Sequence, residues 1–168
     1  MGHGIWTGQS SDRPSHIRVV AAVIEREGKL LVCQRPAHKR HGGLWEFPGG
    51  KIEPHEEPLA ALARELREEL GVRLDVTSAI RLGEFEDCAV NEPGRRVRAQ
   101  AYLCKVDGVP APCAEIEELA WVSLAGAHRV PVAPLSARHI IPAFAAVAGR
   151  SVANLSQLCG QAEGGCSV

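Results

Sequence analysis

The sequence carries no surplus of charge of either sign. Its 19 basic and 20 acidic residues give a formal net charge of −1, so there is no basic field of the kind that holds nucleic-acid polymers or membrane surfaces. No stretch approaches the roughly 20 apolar residues of a membrane span. The first 14 residues are mostly polar and hold no apolar core of signal-peptide length. There is no internal repeat. Six cysteines occur without CxxC or metal-finger spacing. They are expected to be reduced thiols in a cytoplasmic protein, with adventitious pairing of Cys159 or Cys166 as the alternative. What is present suits one globular domain: 168 residues, 45% of them hydrophobic, enough for a single core.

The informative stretch runs from Gly50 to Val72, G-K-I-E-P-H-E-E-P-L-A-A-L-A-R-E-L-R-E-E-L-G-V. Its second half predicts a helix. Pro58 suits the first turn, where its missing N–H costs nothing. Gly71 suits the left-handed residue that closes a helix. Leu59, Leu62, Leu66 and Leu70 recur at three- and four-residue steps, giving one buried stripe. Glu65, Glu68 and Glu69 then crowd together beside it. Carboxylates this close repel unless a cation sits among them, and hard divalent ions take such oxygen ligands together with substrate phosphates. A solvated acidic face on an ordinary amphipathic helix is the alternative for the helix taken alone.

The longer string decides between the two. Gly50, Glu56 and Arg64-Glu65-Leu66-Arg67-Glu68-Glu69-Leu70-Gly71-Val72 fill every fixed position of G-x5-E-x7-R-E-U-x-E-E-x-G-U, where U is a bulky aliphatic residue. The chain thus resembles the Nudix hydrolases. The resemblance implies an α/β fold, an α/β/α sandwich with a mixed β-sheet. It implies Mg²⁺, or Mn²⁺ in its place, held by Glu65, Glu68 and Glu69 with the Gly49 carbonyl. It also implies that Arg64 orients Glu65, itself a ligand or base, and that Glu56 stands behind them. A further base in this family often precedes a strand that carries a tryptophan. Counting six back from Trp121 gives Glu115 as base and metal ligand, with Glu117 and Glu118 as alternatives.

The remaining chain predicts a leader over 1–15, the domain over 16–149 and a flexible tail over 150–168. Ile17 to Glu25 and Lys29 to Gln34 read as two strands of a hairpin about the turn Arg26-Glu27-Gly28. Arg35 to Gly43 is a basic loop, and Asn91 to Gly94 a turn. Strands are expected over Arg73–Glu86, Arg95–Val106 and Leu119–Val122. Ser136 to Val147 predicts a second helix. Its Pro142 argues for a start near Ile140, and Gly149 for its end.

Val19 to Glu53 looks like the MutT-type nucleoside triphosphate pyrophosphohydrolases. That implies substrate contacts from Arg35, Phe47, Lys51 and Phe85. It also implies a small nucleotide partner, with the chain a monomer or homodimer. Enzymes of this group that clear 8-oxo-dGTP read the base with an asparagine before the last helix. Val130 to Leu135 has none, and its P-V-A-P form looks more like the branch that prefers CTP, dCTP or 5-methyl-dCTP. Asp87 and Asn91 are the alternatives for reading an oxidised guanine. The spacing of Pro93 and Tyr102 fits neither ADP-ribose nor dinucleoside polyphosphate enzymes. A non-catalytic nucleotide sensor is the reading from another class, and the complete set of motif glutamates argues against it.

Overall fold

The computed structural model describes residues 16–39, 42–89, 92, 94–124 and 130–149. The expected leader, the tail, Arg40, His41, Asn91, Pro93, Cys159 and Cys166 lie outside them.

Two four-stranded sheets form the centre. The first runs β5–β1–β7–β6, from Gly49–Lys51, His16–Val23, Arg96–Asp107 and Arg73–Cys88. It is mixed: β1 lies parallel to β7 and antiparallel to β5, and β6 is antiparallel to β7. In the second, β3 (Lys29–Gln34) pairs antiparallel with β2 (Glu25–Arg26), β4 (Trp45–Glu46) and β8 (Glu118–Ser123).

The expected hairpin is thereby corrected. The hairpin is confined to its tip, where Glu25 and Arg26 pair with β3 and Ile24 O accepts the Leu31 N–H (3.0 Å), while β1 is taken up by β5 and β7. The reason lies in β1 and β3 themselves. Both are near-continuous apolar runs, the pattern of strands covered on two faces. Successive side chains divide between the faces. Val20, Ala22, Leu31 and Cys33 pack under α1 (Pro58–Leu70). Ala21, Val23, Leu30 and Val32 pack under α2 (Ile141–Val147). This is the expected α/β/α sandwich.

The first helix follows its sequence signals. Pro58 occupies its first turn and Gly71 its end at φ 66°. The Gly71 N–H donates to Arg67 O (3.1 Å) and the Val72 N–H to Leu66 O (3.4 Å), the double closure of a left-handed cap. Leu62, Leu66 and Leu70 are fully buried.

The second helix follows the later of the two expected starts, near Ile140, and is preceded by a helical turn of another kind. Ser136–Ile140 forms a π-helical turn and α2 begins at Ile141. The wider turn carries the chain into the helix with Pro142 in its opening turn, where no N–H is needed. Gly149 follows at φ 65°. Cys33, Cys104 and Cys113 are free thiols. Cys88 is disulfide-bonded, which corrects the expectation of reduced thiols there; it stands at the half-buried end of β6, outside the apolar core that shields Cys33 and Cys104. Among the described residues no helix is long and apolar enough to cross a membrane.

Candidate active site

The site is organised by Arg64, on the face of α1 beside the leucine stripe. Its Nε and Nη2 donate to the two carboxylate oxygens of Glu56, each at 3.0 Å. Nη1 donates to Glu65 Oε1 at 2.8 Å, and Nη2 also to Lys51 O at 3.0 Å. Glu68 lies 3.5 Å away. A planar guanidinium with a fixed fork of donors suits this role, since each bond fixes a carboxylate in direction as well as distance. Glu56 is locked from its other side by the Glu53 N–H at 3.0 Å. These bonds hold the Glu56 carboxyl below the usual range, chiefly through Arg64. One residue thus ties the loop over 51–56 to the helix and aims Glu65.

The two glycines of the Pro-Gly-Gly turn shape the ceiling over the glutamates. A Cβ on Gly50 would stand 2.4 Å from the Glu65 carboxyl carbon, and one on Gly49 2.1 Å from Val20 O. The chain therefore passes closer to Glu65 and to β1 than any side chain permits. The Gly49 N–H donates to Glu69 Oε2 at 3.0 Å. Burial pushes the Glu69 carboxyl up to about 7, against the Gly49 bond and with help from Glu65 and Glu46. A carboxylate stripped of water beside two others is one that a cation would stabilise.

These groups floor a cleft of about 510 Å³. Arg35, Lys39 and Lys51 line it together with Glu46, Glu65, Glu69, Glu92 and Glu115. Each of its three cations has a carboxylate partner: Arg35 with Glu46 (2.7 Å), Lys51 with Glu92 (2.9 Å), and Lys39 with Glu115. Glu115 reaches the cleft because its loop is tied to the end of α1. The Ala111 N–H donates to Leu70 O and the Cys113 N–H to Glu69 O.

Most of the residues expected from the sequence meet here: Gly49, Glu65, Glu69, Arg35, Phe47, Lys51 and Glu115 all line the cleft, with Arg64 and Glu56 behind. Two do not. Glu68 is half-exposed and leans toward Arg64. Phe85 stacks on His139, ring centroids 6.0 Å apart, and packs against the α2-side core, so it is no wall of this cleft. Of the alternatives to Glu115, Glu117 accepts the Ala37 N–H at 2.8 Å, and Glu118 opens β8 facing solvent. Asp87 is buried, with Oδ1 accepting the Cys88 N–H and Oδ2 3.3 Å from His139 Nε2. Sequence reasoning missed Glu46, Glu92, Ser136 and Ile140. Glu46 had a signal, its place beside Phe47 in the Trp-Glu-Phe run. Glu92 had none, because a hairpin bend brings it in.

The residues fit a divalent cation. Glu65, Glu69 and the Gly49 backbone offer oxygen only, and one or two carboxylates with substrate phosphates suffice for Mg²⁺. Among the described residues no three His, Cys, Asp or Glu side chains are already gathered into a metal cage, so the phosphates and water would complete such a shell.

A family model described as the NUDIX domain matches residues 14–144. This chain belongs to that family. Among similar proteins, the CTP pyrophosphohydrolase of Escherichia coli K12 is 43% identical over 119 residues, 70% of this chain and 84% of that protein. The 8-oxo-dGTP diphosphatase of Proteus vulgaris is 39% identical over 88 residues, 52% of this chain and 74% of that one. The solution structure of the E. coli ORF135 protein superposes with a TM-score of 0.66 at 39% identity, covering 79% of this chain and 91% of that chain. The Arg64 hub and the glutamate floor of this NUDIX domain are built from the motif residues themselves.

Proposed function

We propose that this NUDIX domain hydrolyses a nucleoside triphosphate to the monophosphate and pyrophosphate, with CTP or a related cytidine triphosphate as its substrate. The observation that carries the reading is the cleft floor. Glu65 and Glu69 lie side by side under a glycine ceiling, with Arg64 locking one of them, and Arg35, Lys39 and Lys51 rise on the rim. A polyphosphate chain needs such an arrangement of fixed acceptors for a cation and mobile donors for its own oxygens.

Mg²⁺ or Mn²⁺ bound there would polarise the phosphoryl oxygens and lower the pKa of a bound water. The chain's own residues do the rest. Arg64 keeps Glu65 aimed at the cleft. Phe47, 5% exposed, gives the cleft an apolar wall suited to a base ring. The bond to Lys39 holds the Glu115 carboxyl below the usual range, so Glu115 is ionised before the substrate arrives. It is therefore placed to accept the proton of an attacking water as the pyrophosphate departs.

The cytidine reading draws on the activity named for the E. coli relative. It draws also on the run 130–135, which has no asparagine to read an oxidised guanine. The 8-oxo-dGTP reading is second, favoured by the P. vulgaris relative's name.

Product analysis with Mg²⁺ across CTP, dCTP, 5-methyl-dCTP, 8-oxo-dGTP, dGTP and ADP-ribose tests the proposal. Release of CMP and pyrophosphate at the highest kcat/KM is expected. A preference for 8-oxo-dGTP would replace the base assignment, and turnover of ADP-ribose alone would overturn the triphosphate reading.

A further inference from the structure

The cleft holds one cation whose partner is the candidate base. Lys39 lies on the loop between β3 and β4, and its ammonium pairs with Glu115 on the loop between β7 and β8. The two loops are fastened at other points. The Glu117 carboxylate accepts the Ala37 N–H at 2.8 Å, and the Glu117 N–H donates to Gln34 O at 3.1 Å. Ala114, just before Glu115, is held at φ 50°, a left-handed conformation that an alanine adopts only when its surroundings impose it. Both loops line a second cavity of about 550 Å³, which shares Pro36, Lys39, Glu115 and Ile116 with the main cleft. The backbones on either side of the ion pair are thus anchored, while the pair itself sits between two cavities.

We propose that Lys39 is a phosphate-positioning residue held in reserve by Glu115. A polyphosphate entering the cleft takes the ammonium from Glu115, and the parting of that pair leaves the Glu115 carboxylate without its cation partner. The inference rests on the triphosphate reading of the cleft.

Charge and exposure carry it. The cleft is lined by three cations and five carboxylates, so an incoming polyphosphate meets net repulsion unless cations are freed for it. Glu115 is 74% exposed and Lys39 30%. An ion pair this open to water holds weakly and yields to a phosphate carrying more than one charge on oxygens of the same kind. The anchored backbones keep Lys39 within the cleft while its side chain turns. Coupling follows: Lys39 gains a phosphate as Glu115 loses its cation partner, so the base is freed of the ammonium only when the polyphosphate is in place.

The test is calorimetric binding of inorganic tripolyphosphate and of CMP, in Mg²⁺ buffer, to the full chain and to Lys39→Met, Glu115→Gln, the double variant and Lys39→Arg. Lys39→Met is expected to weaken tripolyphosphate binding about tenfold, in keeping with the loss of a charge-assisted hydrogen bond. CMP affinity should stay within about twofold, and Lys39→Arg should restore most of the loss. Glu115→Gln should tighten tripolyphosphate binding about two- to threefold by releasing Lys39, an effect of the size an exposed pair supplies. It should have no such effect once Lys39 is Met. Equal losses for both ligands would make Lys39 a loop-shaping residue and overturn the inference, as would unchanged tripolyphosphate affinity or strict additivity of the two substitutions. Failure of the chain to turn over any nucleoside triphosphate would instead strike the functional reading, which the tripolyphosphate titration does not depend on.

Discussion

Glu69 is the residue on which the chemistry and the stability meet. Its carboxyl is pushed up from 4.5 to about 7, first by burial. The metal-free folded state therefore keeps a proton that the unfolded chain surrenders near 4.5. The stability this group contributes is complete below that pH and is lost as the pH rises through 7. Thermal unfolding in chelator at pH 5, 6, 7 and 8 should show wild type losing ground to Glu69→Gln across that interval. A constant difference would refute the assignment. Metal affinity of the wild type should rise over the same range, as the carboxylate becomes available. Turnover of Glu69→Gln should fall by about 10² or more, the scale of losing one fixed charge at the reacting centre. Glu115→Gln should lose about 10²-fold, the low end of what a positioned base contributes. If it keeps wild-type turnover in steady-state assays, the base lies elsewhere. Gly50→Ala makes a sharper test of geometry, because its methyl would displace the Glu65 carboxyl. A collapse of turnover with an unchanged far-ultraviolet spectrum is expected.

At the scale of the element, α1 does two jobs with two faces. The Leu62, Leu66 and Leu70 stripe fastens it to the strands, while Glu65 and Glu69, with Arg64 behind them, form the cleft floor. Truncating Leu66, which is 0% exposed, should cost about 2–5 kcal/mol of stability in denaturant titration. Turnover per folded molecule should change less, since the residue faces away from the cleft. The element was legible in the sequence because its signals agree: proline at the start, glycine at the end, leucines at helical spacing. The short strands Trp45–Glu46 and Gly49–Lys51 were not legible. Each owes its existence to a neighbour, β3 in one case and β1 in the other, and two or three residues carry no period of their own. The hairpin expected between β1 and β3 survives only at its tip, Ile24 to Leu31, for a related reason. Apolar continuity says that a strand is buried but does not say which strands flank it.

At the scale of the molecule, the two sheets and their helices leave an acidic cleft in a chain of nearly balanced charge. Three cations against five carboxylates repel a polyphosphate that arrives without countercharge. Chelation should therefore abolish turnover, and millimolar Mg²⁺ or Mn²⁺ should restore it fully. Activity that persists in excess EDTA would contradict the glutamate floor. The cleft also gathers distant parts of the chain: Arg35 from one loop, Glu65 from the helix, Glu92 from the β6–β7 bend and Glu115 from the loop before β8. Their separation along the chain is why only the members that share the helix could be grouped by spacing.

The sequence by itself determined the helix, its buried stripe and the set of carboxylates beside it, because one element supplies all of them and helical spacing relates them. It also determined the family, through residues whose positions along that element the chemistry dictates. Only the tertiary structure decided which of those carboxylates face the cleft. It set Glu65 and Glu69 there and left Glu68 leaning outward, sent Phe85 into a core with His139, and brought Glu46 and Glu92 in unannounced. The physical reason is that direction and neighbourhood depend on what packs against each residue. Those partners come from strands and loops that the local pattern cannot see.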